Sequence, residues 1–143
     1  MKKIIIGADH RGFKLKQTLI NHFKQYDWND VGTDSEQRTD YPIYAQRVCQ
    51  ALKKKEAQQG ILICGSGIGA SIAANRVPGI YAALVWSLEV ARVAKEDDGA
   101  NILVLPADFV SVQIAIEMIN TWLGASFKGG HYQDRLDMID RTS

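Results

Sequence analysis

Residues 58–71 read QQGILICGSGIGAS. Ile61, Leu62, Ile63 and Cys64 form a short apolar run bounded by glycine, the pattern of a strand buried on both faces of a parallel sheet. Gly65, Gly67 and Gly69 follow at once, leaving the backbone free to adopt positive φ and to approach a ligand closely. The next stretch, ASIAANRV (70–77), has a helical composition. Strand, glycine turn and helix in that order admit two readings. One is a tight turn with a packed thiol. The other is a helix N-terminus whose free N–H groups and dipole hold a negative oxygen, with a thiol beside it.

The same alternation runs along the rest of the chain. KIIIGAD (3–9), GILICG (60–65), YAALVW (81–86) and NILVLPA (101–107) are apolar runs rich in Ile, Val and Leu, and WNDVG (28–32) is a weaker fifth strand. Between them, Leu15, Leu19 and Phe23 recur at helical spacing, as do Tyr44, Val48 and Leu52, and then Val112, Ala115, Ile116, Ile119 and Leu123. Strand–helix alternation with right-handed crossovers predicts an α/β fold, a Rossmann-like three-layer sandwich around a five-stranded parallel sheet. Residues 1–143 contain no linker, repeat or low-complexity tract and read as a single domain. In such sheets ligands bind beyond the carboxyl ends of the strands. Those ends are Asp9 and His10, Cys64 to Gly69, Trp86 to Glu89, and Pro106 to Asp108.

Composition narrows the class. Hydrophobic residues make up 46% and charged residues 23%, and the formal charge is +1, so no basic footprint for nucleic acid or an anionic membrane is present. No segment reaches the roughly 18 apolar residues of a membrane span. MKKIIIGADH is too short in its apolar run for a signal peptide, and two cysteines in that context read as cytoplasmic thiols. Cys49 falls on the apolar stripe of its helix and reads as core, and His22 as a solvated helix residue.

The glycine turn can be tested against known phosphate motifs. A P-loop requires Gly-Lys-Ser/Thr, whereas Gly69 precedes Ala70 and Ser71. A Cys-x5-Arg phosphatase requires arginine at position 70. GSGIGA fits only the relaxed dinucleotide pattern, follows the third strand, and has no acidic residue closing the next. What remains is a thiol and a set of N–H donors around a small substrate that develops negative charge.

Four stretches together, GADHRGFKLK (7–16), RTDYP (38–42), ILICGSGIGASIAANRVPGI (61–80) and WLGASFKGGHYQDR (122–135), resemble the ribose-5-phosphate isomerase B family and its relatives acting on galactose and allose phosphates. The resemblance covers the whole chain. It implies interconversion of aldose and ketose phosphates through a cis-enediolate, with no metal or cofactor. It further implies a homodimer, in some members a dimer of dimers, with the site built across the subunit interface.

Carried over residue by residue, the resemblance makes Cys64 the base, placing this chain apart from a second branch that carries a glutamate at the position of Ala70. A helix N-terminus is expected to lower the thiol pKa from about 8.5. Ser66 matches the hydroxyl that moves a proton between the enediolate oxygens. The loop of Gly65, Gly67, Ile68, Gly69, Ala70 and Ser71 supplies backbone N–H groups to the oxyanion. Asp9 and His10 contact sugar hydroxyls and phosphate respectively, the alternative for Asp9 being a helix N-cap. Tyr41 and Asn75 are pocket or turn residues, and Arg135 holds the phosphate.

Four positions depart from the family pattern. Asp97 stands where the ring-opening histidine falls, Asp98 where an asparagine follows it, His131 where a phosphate arginine follows the double glycine, and Tyr81 where PGIRA has arginine. The sequence therefore leaves three alternatives open: a six-carbon sugar-phosphate isomerase, a sugar-phosphate sensor without turnover, and a flavodoxin-like nucleotide or flavin binder.

Overall fold

Ile61 and Ile63 point to one face of the sheet and Leu62 and Cys64 to the other, because successive side chains in a strand alternate. The computed structural model, which describes residues 1–142, repeats this division in every central strand. The elements run β1 (Lys3–Ala8), α1 (Phe13–His22), β2 (Asp27–Asp30), α2 (Tyr41–Lys53), β3 (Gly60–Cys64), α3 (Ile68–Ala74), β4 (Ala82–Leu84), α4 (Leu88–Glu96), β5 (Ile102–Pro106), α5 (Val112–Gly124) and α6 (His131–Arg141). All four strand pairings are parallel, in the order β2-β1-β3-β5-β4. This is the expected Rossmann-like three-layer sandwich.

Ile4, Ile6, Ile61, Ile63, Leu103 and Leu105 face α1, α4 and α5, where Leu19, Phe23, Ala91, Ala115, Ile119 and Trp122 complete one core. On the other face Ile5, Leu62, Ile102 and Val104 pack on Tyr44, Val48, Cys49, Ala70 and Ala74 of α2 and α3. Each large side chain so buried contributes ~1.5–3 kcal/mol. The Trp122 indole also donates to the Ala100 carbonyl at 3.1 Å, so its one polar atom is satisfied inside the core.

The observed strands are shorter than the apolar runs that announced them. β2 stops at Asp30 and β4 spans only Ala82–Leu84, as expected for the two edges of the sheet. Helix α3 begins at Ile68, two residues earlier than ASIAANRV suggests. Helix α4 lacks a recognisable stripe of large apolar residues. Its buried side chains are the small Ala91 and Ala94, and Ser87 caps it by accepting from the Val90 N–H at 3.2 Å.

Cys49 lies in the α2–α3 core with its Sγ 3.7 Å from the Ala74 carbonyl. Burial pushes its thiol from 9.0 up to about 11. Between those values an unfolded chain releases the proton that the folded chain keeps. The native state thus binds more protons, and stability present below pH 9 is lost as pH rises toward 11. The expected loss is ~2 kcal/mol. Cys49→Ala should lower stability at neutral pH through the cavity it leaves, yet flatten the alkaline decline. Urea unfolding of both proteins at neutral pH and near pH 11 measures this difference in slope.

Candidate active site

The chain passes from β1 to β2 on one side and then crosses back over β1 to β3 on the other, so the strand order reverses between β1 and β3. Asp9 and Cys64 stand at the carboxyl ends of these two neighbours, where Asp9 N–H donates to the Ile63 carbonyl at 3.2 Å. β5 adds its own end: Cys64 pairs with Pro106, and the N–H groups of Ala107 and Asp108 donate to the carbonyls of Cys64 and Gly65, each at 2.9 Å. Three strand ends are thereby locked together. They open into a cavity of about 330 Å³ whose walls include Asp9, Arg11, Tyr41, Cys64, Ser66 and Asp108.

Cys64 is buried, and the turn after it coils around the sulfur. Gly67 takes φ +77°, a left-handed conformation in which a Cβ would lie 2.4 Å from Leu84 Cδ1. In this turn the Gly67 N–H donates to Cys64 Sγ at 3.2 Å. The expected lowering of the thiol pKa is not what the structure gives. Desolvation by burial is the largest influence and raises it, the N–H groups of Ala70, Gly67 and Ser66 pull it down, the Asp9 carboxylate pushes it up, and the net direction is upward. The helix N-terminus does act on the sulfur, but burial outweighs it.

The donor set also differs from the sequence reading. The Ile68 N–H is taken by Ser66 Oγ at 3.2 Å, and the Ser71 N–H by the Gly67 carbonyl at 3.0 Å as the first regular turn of α3. The loop amides therefore converge on the thiol more than on open space. Tyr41, the first residue of α2, lays its ring over Gly69, where a Cβ would come within 2.4 Å of Tyr41 Cζ. Asp9 Oδ1 accepts from Arg11 N–H at 3.0 Å and Gly12 N–H at 3.2 Å and so orders the turn ahead of α1, but it is not the helix N-cap, a position that Gly12 holds. His10 Nδ1 sits 3.2 Å from Thr39 N and 3.1 Å from Thr39 O, which ties the β1 end to the segment before α2. Asn75 orders a turn: its side-chain amide exchanges two hydrogen bonds with the Ala82 backbone, at 2.8 and 2.9 Å.

The remaining candidates lie elsewhere. Helices of a parallel sheet run against the strands, so residues at the end of α4 sit at the opposite edge from Cys64. Asp97 is the C-cap of α4, with Lys128 Nζ 3.3 Å from its Oδ1. Asp98 lines a separate cavity with Asn75, Tyr81 and Leu136. His131 opens α6 and stacks on Tyr132 at 4.2 Å, and the exposed Arg135 guanidinium lies 5.5 Å from the Tyr132 ring centroid. The Tyr81 hydroxyl is 2.6 Å from Asp140 on the same helix. The length of β5, roughly 13 Å at ~3.3 Å per residue, separates this group from the thiol. Asp97, Asp98, His131 and Arg135 cannot reach the Cys64 of their own chain.

Sequence reasoning passed over three residues of the Cys64 cavity: Arg11, Phe109 and the side chain of Asp108. Arg11 and Phe109 follow strand ends by a few residues, and only the locking of β1, β3 and β5 brings them over the glycine turn. Among the described residues no helix is long and apolar enough to cross a membrane, and no group of three or more His, Cys, Asp or Glu could hold a metal ion.

Comparison with known proteins agrees with this arrangement. Residues 4–139 match the Ribose/Galactose Isomerase family. Ribose-5-phosphate isomerase B of Escherichia coli is 40% identical over 141 residues, 97% of this chain and 95% of that protein. The crystal structure of a ribose 5-phosphate isomerase from Thermotoga maritima superposes with a TM-score of 0.96 at 43% identity, covering 98% of both chains. Ribose-5-phosphate isomerase B from Mycoplasma genitalium, solved with bound ribulose-5-phosphate, superposes with a TM-score of 0.92 at 40% identity, over 98% of this chain and 95% of that one. With a thiol at the sheet's switch point and a match that runs through all five strands, the chain belongs to the ribose/galactose isomerase family.

Proposed function

We propose that this protein is an aldose–ketose isomerase that interconverts ribose 5-phosphate and ribulose 5-phosphate. The observation that carries the reading is the thiol of Cys64, ringed by backbone N–H groups, beside Asp9 at the point where the strand order reverses. Isomerisation needs one base that removes the proton next to a carbonyl and returns it to the neighbouring carbon. Cys64 is placed for that step as thiolate. The same N–H groups that pull its pKa down stabilise the negative sulfur, and the Ser66 hydroxyl nearby is suited to moving a proton between the two enediolate oxygens. Asp9 and Tyr41 border the space for the sugar hydroxyls.

The phosphate-binding half comes from a second copy of the chain. Arg135 and His131 lie a full strand length from Cys64 within one chain, so a homodimer that sets the α6 end of one copy against the β1–β3 end of the other completes the site. The same apposition would bring Asp97 and Asp98 near the sugar ring, with Asp97 moving the ring-opening proton. We place the reaction in the cytoplasm, since Cys49 and Cys64 are both free thiols.

An isomerase assay over five- and six-carbon sugar phosphates tests the reading. The expected result is turnover with a preference for ribose 5-phosphate. Preference for a six-carbon substrate would move the assignment within the family, which the loss of fixed charge at His131 and Tyr81 motivates. Binding without interconversion would replace the enzyme by a sensor.

A further inference from the structure

The cavity over Cys64 carries two carboxylates, Asp9 and Asp108, against one cation, Arg11. Both members of the Arg11–Asp108 ion pair are anchored through their backbones. Arg11 N–H is held by Asp9 Oδ1 at 3.0 Å, and Asp108 N–H by the Gly65 carbonyl at 2.9 Å. Their side chains then meet above Gly65. A Cβ on that residue would lie 2.7 Å from Arg11 Nε and 2.7 Å from Asp108 Oδ2, so the glycine leaves the space in which they pair. The pair is open to water, with Arg11 59% and Asp108 35% exposed. Ion pairs of that kind contribute little to stability and separate readily. A substrate phosphate offers the guanidinium a stronger, bidentate partner than a half-solvated carboxylate does.

We propose that Arg11 is a substrate-binding residue of this chain and that Asp108 is its built-in competitor, so that the pair sets the affinity of the site for anionic substrates. The proposal rests on reading the cavity as a sugar-phosphate site. In the empty site Asp108 holds the guanidinium over Gly65, next to the thiol but engaged. On binding, an anionic oxygen of the substrate replaces the carboxylate on Arg11, and Asp108 turns to water. The exchange makes no covalent bond, and its cost is the breaking of a weak pair. It also predicts effects of opposite sign at the two positions, which a purely structural pair would not produce.

The test compares the wild type with Arg11→Gln, Arg11→Lys and Asp108→Asn as full-length proteins. Two readouts are used: competitive inhibition of turnover by inorganic phosphate together with KM, and the shift in melting temperature caused by inorganic phosphate and by ribose 5-phosphate. Arg11→Gln is expected to raise KM and the phosphate inhibition constant roughly tenfold with kcat changed much less, and to shrink the melting shift. Asp108→Asn is expected to lower both constants roughly threefold and to enlarge the shift. Arg11→Lys should recover part of the loss. Effects of the same sign at both positions, or phosphate binding unchanged in Arg11→Gln, overturn the proposal. If no sugar phosphate is turned over, the isomerase reading fails and the melting shifts still decide the role of Arg11. A wild-type protein that shows no shift with either anion overturns it too.

Discussion

Replacing Cys64 by alanine is expected to lower turnover by about a hundredfold or more while the fold stays intact, the order of effect for a lost general base. The side chain removed is small and sits at the end of β3, so the packing loss is modest beside the chemical one. Burial raises the thiol pKa, which leaves thiolate as the minority form at neutral pH. In the wild type, kcat/KM should therefore climb as pH rises above neutrality, and this alkaline climb should disappear in the alanine variant. Reaction of the wild type in deuterated water should place deuterium on the carbon next to the carbonyl of the product. Near-normal turnover in the alanine variant would make Cys64 a packed core thiol, the other reading its sequence context allows.

Mixing two inactive proteins is expected to restore activity. Cys64→Ala and Arg135→Ala each damage every site of a homodimer in which one copy supplies the thiol and the other the phosphate-binding arginine. After random exchange of subunits, half of the dimers are hybrids, and each hybrid has one site with both residues intact. About a quarter of all sites recover. The physical basis is the distance along β5 between the two groups within one chain, which no side-chain rotation spans. The measurement is turnover after subunit exchange, with hybrid formation followed by mass. Hybrids that form and remain inactive would place both residues in one copy's site or remove Arg135 from it. A chain that stays monomeric at assay concentration would count equally against the shared site.

The two predictions depend on different levels of information. The Cys64 argument was available in the order strand, cysteine, glycine turn, helix, because a short apolar run bounded by glycine suits a strand buried on both faces and the glycines after it leave the backbone free to turn. What that order could not supply is the balance of forces on the sulfur. The N–H groups were foreseeable from the helix start, but how deeply the strand end is buried, and that Asp9 just after β1 stands beside it, depend on β1 and β3 being neighbours. For the same reason the direction of the thiol pKa came out opposite to expectation.

Local pattern was sufficient for the β1, β3 and β5 cores and for α1, α2 and α5, where large apolar residues repeat with the period of the element. It was insufficient for α4, whose buried face is built from Ala91 and Ala94, and it overstated the edge strand β4, which lies within the run 81–86 but is only three residues long. Resemblance added Asp97, Asp98, His131 and Arg135 as one set with Cys64. The tertiary structure divides that set between the two ends of the strands, because α4 returns antiparallel to them and carries Asp97 and Asp98 away from the carboxyl ends, and α6 packs at that far end, where Tyr81 meets Asp140. Arg11 and Asp108 show the converse. They are 97 positions apart and no motif links them, yet the register that pairs Ala8 with Ile63 and Cys64 with Pro106 sets them against each other over Gly65. Residue type and spacing determined the sheet, the turn and the thiol at its mouth. Strand order alone decided which charges surround that thiol, since only hydrogen-bonded neighbours across the sheet bring distant segments within the few ångströms over which charges act.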